Sequence, residues 1–372
     1  MFQSYLFPIS YAFMTFPVAA LFFTLPFLIV QYRRHGYINK VRALVLYLLL
    51  LYLMNAFYLV MLPLPASRHN LPKLGGALQP VPLQFIQDIM RESNIVGSEP
   101  STYLSLLRER AFLQVIFNVL LMVPFGMFLN YYFRARWMVC ILLSFGLSLF
   151  FEVTQITGIY GFYDYPHRVF DVDDLIANTL GGIIGYRIAE WISGLLPRIE
   201  QLDQRVDLGT KRVTYTRRGI AFMIDGGVCM IGTGILYVFE LPFAYWIATG
   251  IYFILLPYFT NGRTLGKWIV RIRVSGSSEH VTLRMLFVRY GLLYWVFFGL
   301  HVLLLEATMN QSIPAAGLLI LQILVPILQL SGIIHLIIRM FKKNPVLLYE
   351  QISRTSHTIS WPDHSPGLAI NP

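Results

Sequence analysis

The chain has little of what soluble and secreted proteins depend on. Two cysteines occur in 372 residues, Cys140 and Cys229, each inside an apolar run. That excludes a disulfide framework and a cysteine metal centre, and leaves two inert, lipid-buried thiols. Charge is as scarce: 13% of residues are charged against 56% hydrophobic, which is not a soluble composition. No basic residue precedes Arg33, so the N-terminal apolar run lacks the positive flank of a signal peptide and reads as a retained span. The net charge of +10 does not point to nucleic acid, because the Lys and Arg residues stand in short segments between apolar runs, where they act as topology signals.

What the sequence does have is apolar length. A helix needs about 20 apolar residues to cross the hydrocarbon core, and spans are predicted over 9–30, 41–62, 112–133, 137–157, 173–192, 219–239, 241–259, 283–305 and 313–338. The expectation is an all-α polytopic membrane protein with about nine transmembrane helices in two bundles. Basic residues follow every odd-numbered span: Arg33, Arg34, Lys40 and Arg42; Arg134 and Arg136; Arg198 to Arg218; Lys267 to Arg284; then Arg339, Lys342 and Lys343. The positive-inside rule then puts the N-terminus outside, the C-terminus in the cytoplasm, and the loop between the fourth and fifth spans outside. The polar stretch 196–216 divides a membrane domain over 1–195, which includes an extra N-terminal span, from a second over 217–358, and 359–372 reads as a mobile tail. In the connection 63–110, Pro63, Pro65, Pro72, Pro80, Pro82 and Pro100 rule out one long helix. An amphipathic piece over 82–91 is expected on the membrane surface.

Polar residues stand out in the stretch 152–185. On a helix, residues 3, 4 and 7 apart share a face, so Asp171, Asp174 and Asn178 form one stripe that continues through Gly181 and Gly185, while Glu152 and Gln155 share a face of the preceding helix. The glycine pair has the small-xxx-small spacing that lets membrane helices approach closely. Asn118 lies at a similar depth on the third span, so these side chains can meet in one cluster with Arg168. Ionisable groups inside a span are costly unless paired or facing a cavity. Two readings stand for Glu152, Asp174 and Asn178: a ligand site, or a hydrogen-bond network that holds helices together. Asp171 and Asp173 also suit helix capping. As a site, the carboxylates with Asn and Gln oxygens suit a hard cation, Arg168 suits a phosphate or carboxylate, and paired carboxylates suit acid–base steps. No Ser-His or His-metal constellation occurs, so no catalytic residue, metal or cofactor is assigned. His167 reads as a surface loop residue.

Asn118 with Pro124-Phe125-Gly126, Glu152 with Gln155, the run Arg168 to Asp174, and Asn178-Thr179-Leu180-Gly181 with Gly185 together resemble the VanZ-like family over about 45–191. That resemblance implies a small integral protein of the bacterial envelope and, through the founding member, a link to teicoplanin resistance. Past the linker, Arg218, Ala221, Asp225, Gly262, Thr264, Gly266, Lys267 and Arg289 resemble the RDD family of bacterial membrane domains over about 217–358, with Glu350 standing where that family has Asp. The resemblance implies a charge cluster of Arg218, Asp225, Lys267, Arg289 and Glu350, and some members of that family are linked to sodium or proton exchange. Asp225 reads either as part of a transport relay or as a buried pair with Arg289 or Arg218. The alternation of Arg271 and Arg273 with apolar neighbours over 269–274 predicts a short strand.

The leading expectation is an envelope protein of the bacterial cytoplasmic membrane that affects glycopeptide susceptibility. An outer polar site of Asn118, Glu152, Gln155, Arg168, Asp171, Asp174 and Asn178 would take a lipid-linked cell-wall precursor or a lipoglycopeptide. An antiporter, a membrane enzyme acting on a lipid phosphate, and a structural protein are the alternatives. Membrane lipids are expected partners, nucleic acid is not, and the oligomeric state is left open.

Overall fold

A computed structural model describes residues 2–72, 76–92, 109–203, 206, 211–276, 281–310, 313–342 and 346–360. The expected tail beyond Ser360 and part of the linker lie outside the described residues. The protein is 74% helical with almost no sheet, as an all-α membrane architecture requires. Among the described residues, seven helices are long and apolar enough to cross a membrane. Two of the nine expected spans fall outside that set although both are helical. One carries Asp173, Asp174, Arg187 and Glu190, and the other, Ala244–Phe259, is a shorter apolar helix.

The chain divides into two compact units, Met1–Phe23 with Asn39–Arg205, and Thr24–Ile38 with Val206–Pro372. The first helix, α1 (Phe2–His35), contributes to both. In the first unit, α2 (Lys40–Met61) begins where the Asn39 side chain accepts the Val41 N–H at 2.9 Å, a polar cap for otherwise orphan donors. It ends at Leu62, before Pro63. A two-residue strand β1 (Leu78–Gln79), α3 (Gln84–Glu92), α4 (Arg110–Tyr131), α5 (Trp137–Ile156), a second short strand β2 (Phe170–Asp171) and α6 (Val172–Ile192) follow. Ala56, Met61 and Phe151 form an apolar core with Tyr52, Leu121 and Leu147 packed on it. Along the α4–α6 seam, a Cβ on Gly181 would collide with the Val119 carbonyl, one on Gly185 with that of Val123, and one on Gly126 with that of Gly182. Close backbone approach of this kind supplies the packing that lipid, as apolar as the side chains, does not otherwise favour. The small-xxx-small spacing is therefore a packing device. β1 pairs in parallel with β2, Leu78 opposite Phe170 and Gln79 opposite Asp171, so part of the proline-rich connection lies along the stretch that leads into α6.

The second unit contains α7 (Tyr215–Val238), α8 (Ala244–Phe259), α9 (Leu265–Ile269), β3 (Ile272–Ser275), α10 (Leu283–Met309), α11 (Ala315–Met340), α12 (Leu348–Ser353) and β4 (Ser356–Ile359). Both α8 and α10 contain π-helical turns, over Ile251–Leu255 and Gly291–Phe298. Such turns are uncommon and concentrate where a helix must re-aim side chains. Here they accompany an aromatic stack in which the Phe253 and Tyr294 rings lie 3.8 Å apart. The strand expected over 269–274 is shorter and begins later. Residues up to Ile269 are helical, and Arg271 takes a left-handed φ of 54°, so extended backbone starts at Ile272. Its partner is β4, antiparallel, with Ile272 opposite Ile359, while Val270, Ile272 and Val274 are buried.

Candidate functional site

The polar residues of the first unit converge at the C-terminal end of α5 and the N-terminal end of α6. Glu152, buried in the last turns of α5, accepts the Asp171 backbone N–H at 3.1 Å. Asp171 caps α6 by accepting the Asp173 N–H at 2.8 Å. Burial pushes the Asp171 carboxyl up from its ordinary value, against the pull of that N–H bond, and the charges of Asp173 and Asp88 add to the rise. Asp173 is itself occupied, accepting the N–H groups of Leu83 at 2.5 Å and Phe85 at 2.9 Å. It thereby caps α3 from across the connection. A capping role for both acids was one of the two readings of the sequence, but the helix that Asp173 serves is α3.

One turn deeper, the Asp174 carboxylate accepts Asn118 Nδ2 from α4 at 2.5 Å and bonds the Gln114 side chain as well. Asn178 donates from Nδ2 to Ser148 Oγ at 2.9 Å, and Ser148 donates to the Asp174 carbonyl at 3.5 Å. The Asn178 Oδ1 atom is buried and receives no donor. Gln155 and Arg168 turn toward the end of α2, donating to the carbonyls of Val60 and Leu62, each at 2.9 Å. Arg168 remains within electrostatic range of both Glu152 and Asp174. The seven expected residues thus occupy one region, in two sets. Glu152, Asp171, Asp174, Asn118 and Asn178 tie α4, α5 and α6, whereas Gln155 and Arg168 anchor the α2 end. Gln114 and Ser148 were missed. Both lie four residues from a chosen member, Asn118 and Glu152, and helical spacing could have found them. His167 is buried, with its ring 6.2 Å from that of Tyr163. It is not a surface residue, although its loop neighbours Phe162, Asp164, Tyr165 and Val169 are exposed. Among the described residues no group of His, Cys, Asp or Glu could hold a metal ion.

In the second unit the expected charge cluster separates into two networks. Asp225, 1% exposed, accepts Tyr252 Oη at 2.8 Å and the Gly266 N–H at 2.7 Å on Oδ1. On Oδ2 it accepts Thr264 Oγ1 at 2.6 Å and Lys267 Nζ at 3.4 Å. A Cβ at position 266 would press on this carboxylate and on the Ala221 carbonyl, so only glycine brings that N–H so near. Asp225 pairs with Lys267 rather than with Arg289 or Arg218, which are committed elsewhere. Glu350 Oε1 takes Arg218 Nη2 at 2.7 Å, Arg289 Nη2 at 3.0 Å and His357 Nδ1 at 2.9 Å.

His357 was not anticipated, because nothing local marks it; it arrives on β4 through the pairing with β3. Burial, then the neighbouring Arg289, hold its pKa well below the ordinary 6.5. The neutral ring therefore donates from Nδ1 to Glu350. Burial opposes ionisation of Glu350, but the His357 bond and the charges of Arg289 and Arg218 outweigh it and hold the carboxyl well below the usual range. Both groups are depressed in the fold, so in both cases the unfolded chain binds the proton first and acid favours unfolding. Stability is expected to be full above about pH 6.5 and to fall by roughly 1.4 kcal/mol per pH unit below it as His357 would charge. A second loss follows below the ordinary Glu value of 4.5. Thermal unfolding in detergent between pH 7.5 and 5 checks this: His357→Gln should flatten that interval, and an unchanged slope would remove His357 as its source.

Fold and site define a helical multi-pass membrane protein whose first unit gathers buried polar side chains at one end of its helices. Residues 49–193 match the family described as VanZ/LLP1, so a VanZ-like domain occupies this part of the chain, as the motif resemblance led one to expect. No curated protein and no solved structure matches the chain.

Proposed function

We propose that this is a VanZ-like protein of the bacterial cytoplasmic membrane. In this reading the Glu152, Arg168, Asp174 and Asn178 cluster faces the outer leaflet, engages a lipid-linked cell-wall precursor and lowers susceptibility to teicoplanin. The observation that carries the reading is that the family match over 49–193 encloses every member of this cluster, of which Glu152 and Asn178 are buried. The chemistry supports it. Arg168, which also holds the Leu62 carbonyl, supplies a positive charge for phosphate or carboxylate, and the Asn178 Oδ1 atom, buried without a donor, suits a ligand N–H or O–H. Orientation rests on the basic segments that follow odd-numbered spans. The second unit reads as an RDD-like domain over 217–358, a reading supported by the burial of Asp225, Lys267, Arg289 and Glu350.

The test is surface binding of fluorescent teicoplanin to bacteria carrying wild type, Glu152→Gln or Asp174→Asn at matched membrane abundance. Both substitutions remove charge yet keep an acceptor for the Asp171 N–H or the Asn118 amide, so the fold should tolerate them. Wild type should lower binding relative to cells without the protein. Each variant should lose about tenfold of the site's affinity, the effect of one charge-assisted bond, and restore binding. Equal binding in all strains would remove the proposal, as would a topology reporter placing Tyr163 in the cytoplasm.

A further inference from the structure

Beside the C-terminal end of α1 lies a cleft of about 530 Å3 lined by Ile29, Val30, Arg33, Arg34 and Arg271, all within the second unit. Its size falls in the roughly 300–1,000 Å3 range of small-molecule clefts. Three of its five lining residues are arginines and none is acidic.

The backbone imposes that convergence. Arg217, 2% exposed, donates to the carbonyls of Gly36 and Arg271, each at 2.9 Å, and to that of Val270 at 2.6 Å. It thus clamps the segment after α1 to the residue before β3. Arg271 takes a left-handed φ of 54°, uncommon for a non-glycine residue. The Arg33 guanidinium is fixed over the Trp268 ring, 4.2 Å from its centroid. Arg33 and Arg34 are consecutive in the last turn of α1, and neighbouring guanidinium groups suit an anion that offers several oxygens. The remaining wall, Ile29 and Val30, is the end of the apolar run of α1, so the cleft straddles the level at which a span leaves hydrocarbon.

We infer that this cleft binds the phosphate of an anionic glycerophospholipid. The arginine forks take the phosphate oxygens, and the first carbons of an acyl chain lie against Ile29 and Val30. Free phosphate would meet the same forks but has no use for the apolar wall. The cleft stands in the second unit whether or not the first binds a cell-wall precursor.

Native mass spectrometry of the full chain in a nonionic detergent tests the assignment, with dioleoyl phosphatidylglycerol, dioleoyl phosphatidylcholine and inorganic phosphate as probes. Phosphatidylglycerol should bind wild type and weaken about fivefold for each arginine removed, in Arg34→Gln and then in the triple Arg33→Gln, Arg34→Gln, Arg271→Gln. Phosphatidylcholine should bind wild type no better than the triple variant does. Arg34 is exposed, so its single variant carries the test if the triple variant does not fold. Equal retention of phosphatidylglycerol by wild type and Arg34→Gln would overturn the site. Displacement by millimolar phosphate would overturn the lipid in favour of a free anion.

Discussion

Glu350→Ala is expected to destabilise the second unit by about 3–5 kcal/mol, the usual cost of removing one partner from a buried ion pair. The carboxylate is the common acceptor for Arg218, Arg289 and His357, and its second oxygen accepts the Leu347 N–H at 3.0 Å, capping α12. Arg289 is 1% exposed, and Thr355 Oγ1, which accepts its Nη1 at 2.6 Å, carries no charge. Without Glu350 two guanidinium groups face one another in a dry interior. Glu350→Gln can keep the cap through its one carbonyl oxygen but turns an NH2 toward the three donors, so its effect should approach that of Glu350→Ala. The midpoint of thermal unfolding in detergent at pH 7.5 reads both. If Glu350→Ala melts as wild type does, the Arg289 charge is compensated elsewhere and the network is not what holds α12.

Asp225→Asn should cost a similar amount, about 3–5 kcal/mol, by a different route. Four donors aim at this one carboxylate. An amide in its place turns an N–H toward one of them and leaves the buried Lys267 ammonium without a counter-charge. Lys267→Met alone should be milder, because the remaining three donors still solvate Asp225. Combined with Asp225→Leu, it should recover part of the loss, since replacing a whole buried pair by apolar residues is often neutral. Such a pattern in unfolding midpoints marks a structural tie. The antiporter alternative makes the opposite forecast: Asp225→Asn folds normally, and cation-dependent proton flux in proteoliposomes disappears. A carboxylate already supplied with four donors has little capacity left for a cation that needs oxygen acceptors, and the structural outcome is the one expected.

Where each tie lies in the sequence decides how much of it could be read there. Apolar length located the long helices, because crossing hydrocarbon sets a minimum run, but not the short helices α9 and α12. Counting by length gave nine spans, yet α6 falls short of the other seven in apolarity and α8 in length. That Asn118, Glu152 and Asn178 lie at a common depth was legible from their positions along the spans, and a close helix approach from the Gly181–Gly185 spacing, but the Asn118–Asp174 bond and the choice of α4 as partner were not. The target of Asp173 was not legible, since it caps a helix that begins some 90 residues earlier. Neither was the choice of Lys267 over Arg289 for Asp225, nor the entry of His357 beside Glu350, because each depends on a turn, a strand pairing or a π-helical offset with no period of its own.

By itself, then, the sequence determined the membrane class, the long helices, the glycine spacing and which polar residues share a helix face, since 3.6 residues per turn is a property of the backbone. Only the tertiary structure decided which donor meets which buried acid. That choice matters in an interior of low dielectric, where a charge is a heavy cost when alone and a tie between segments when paired.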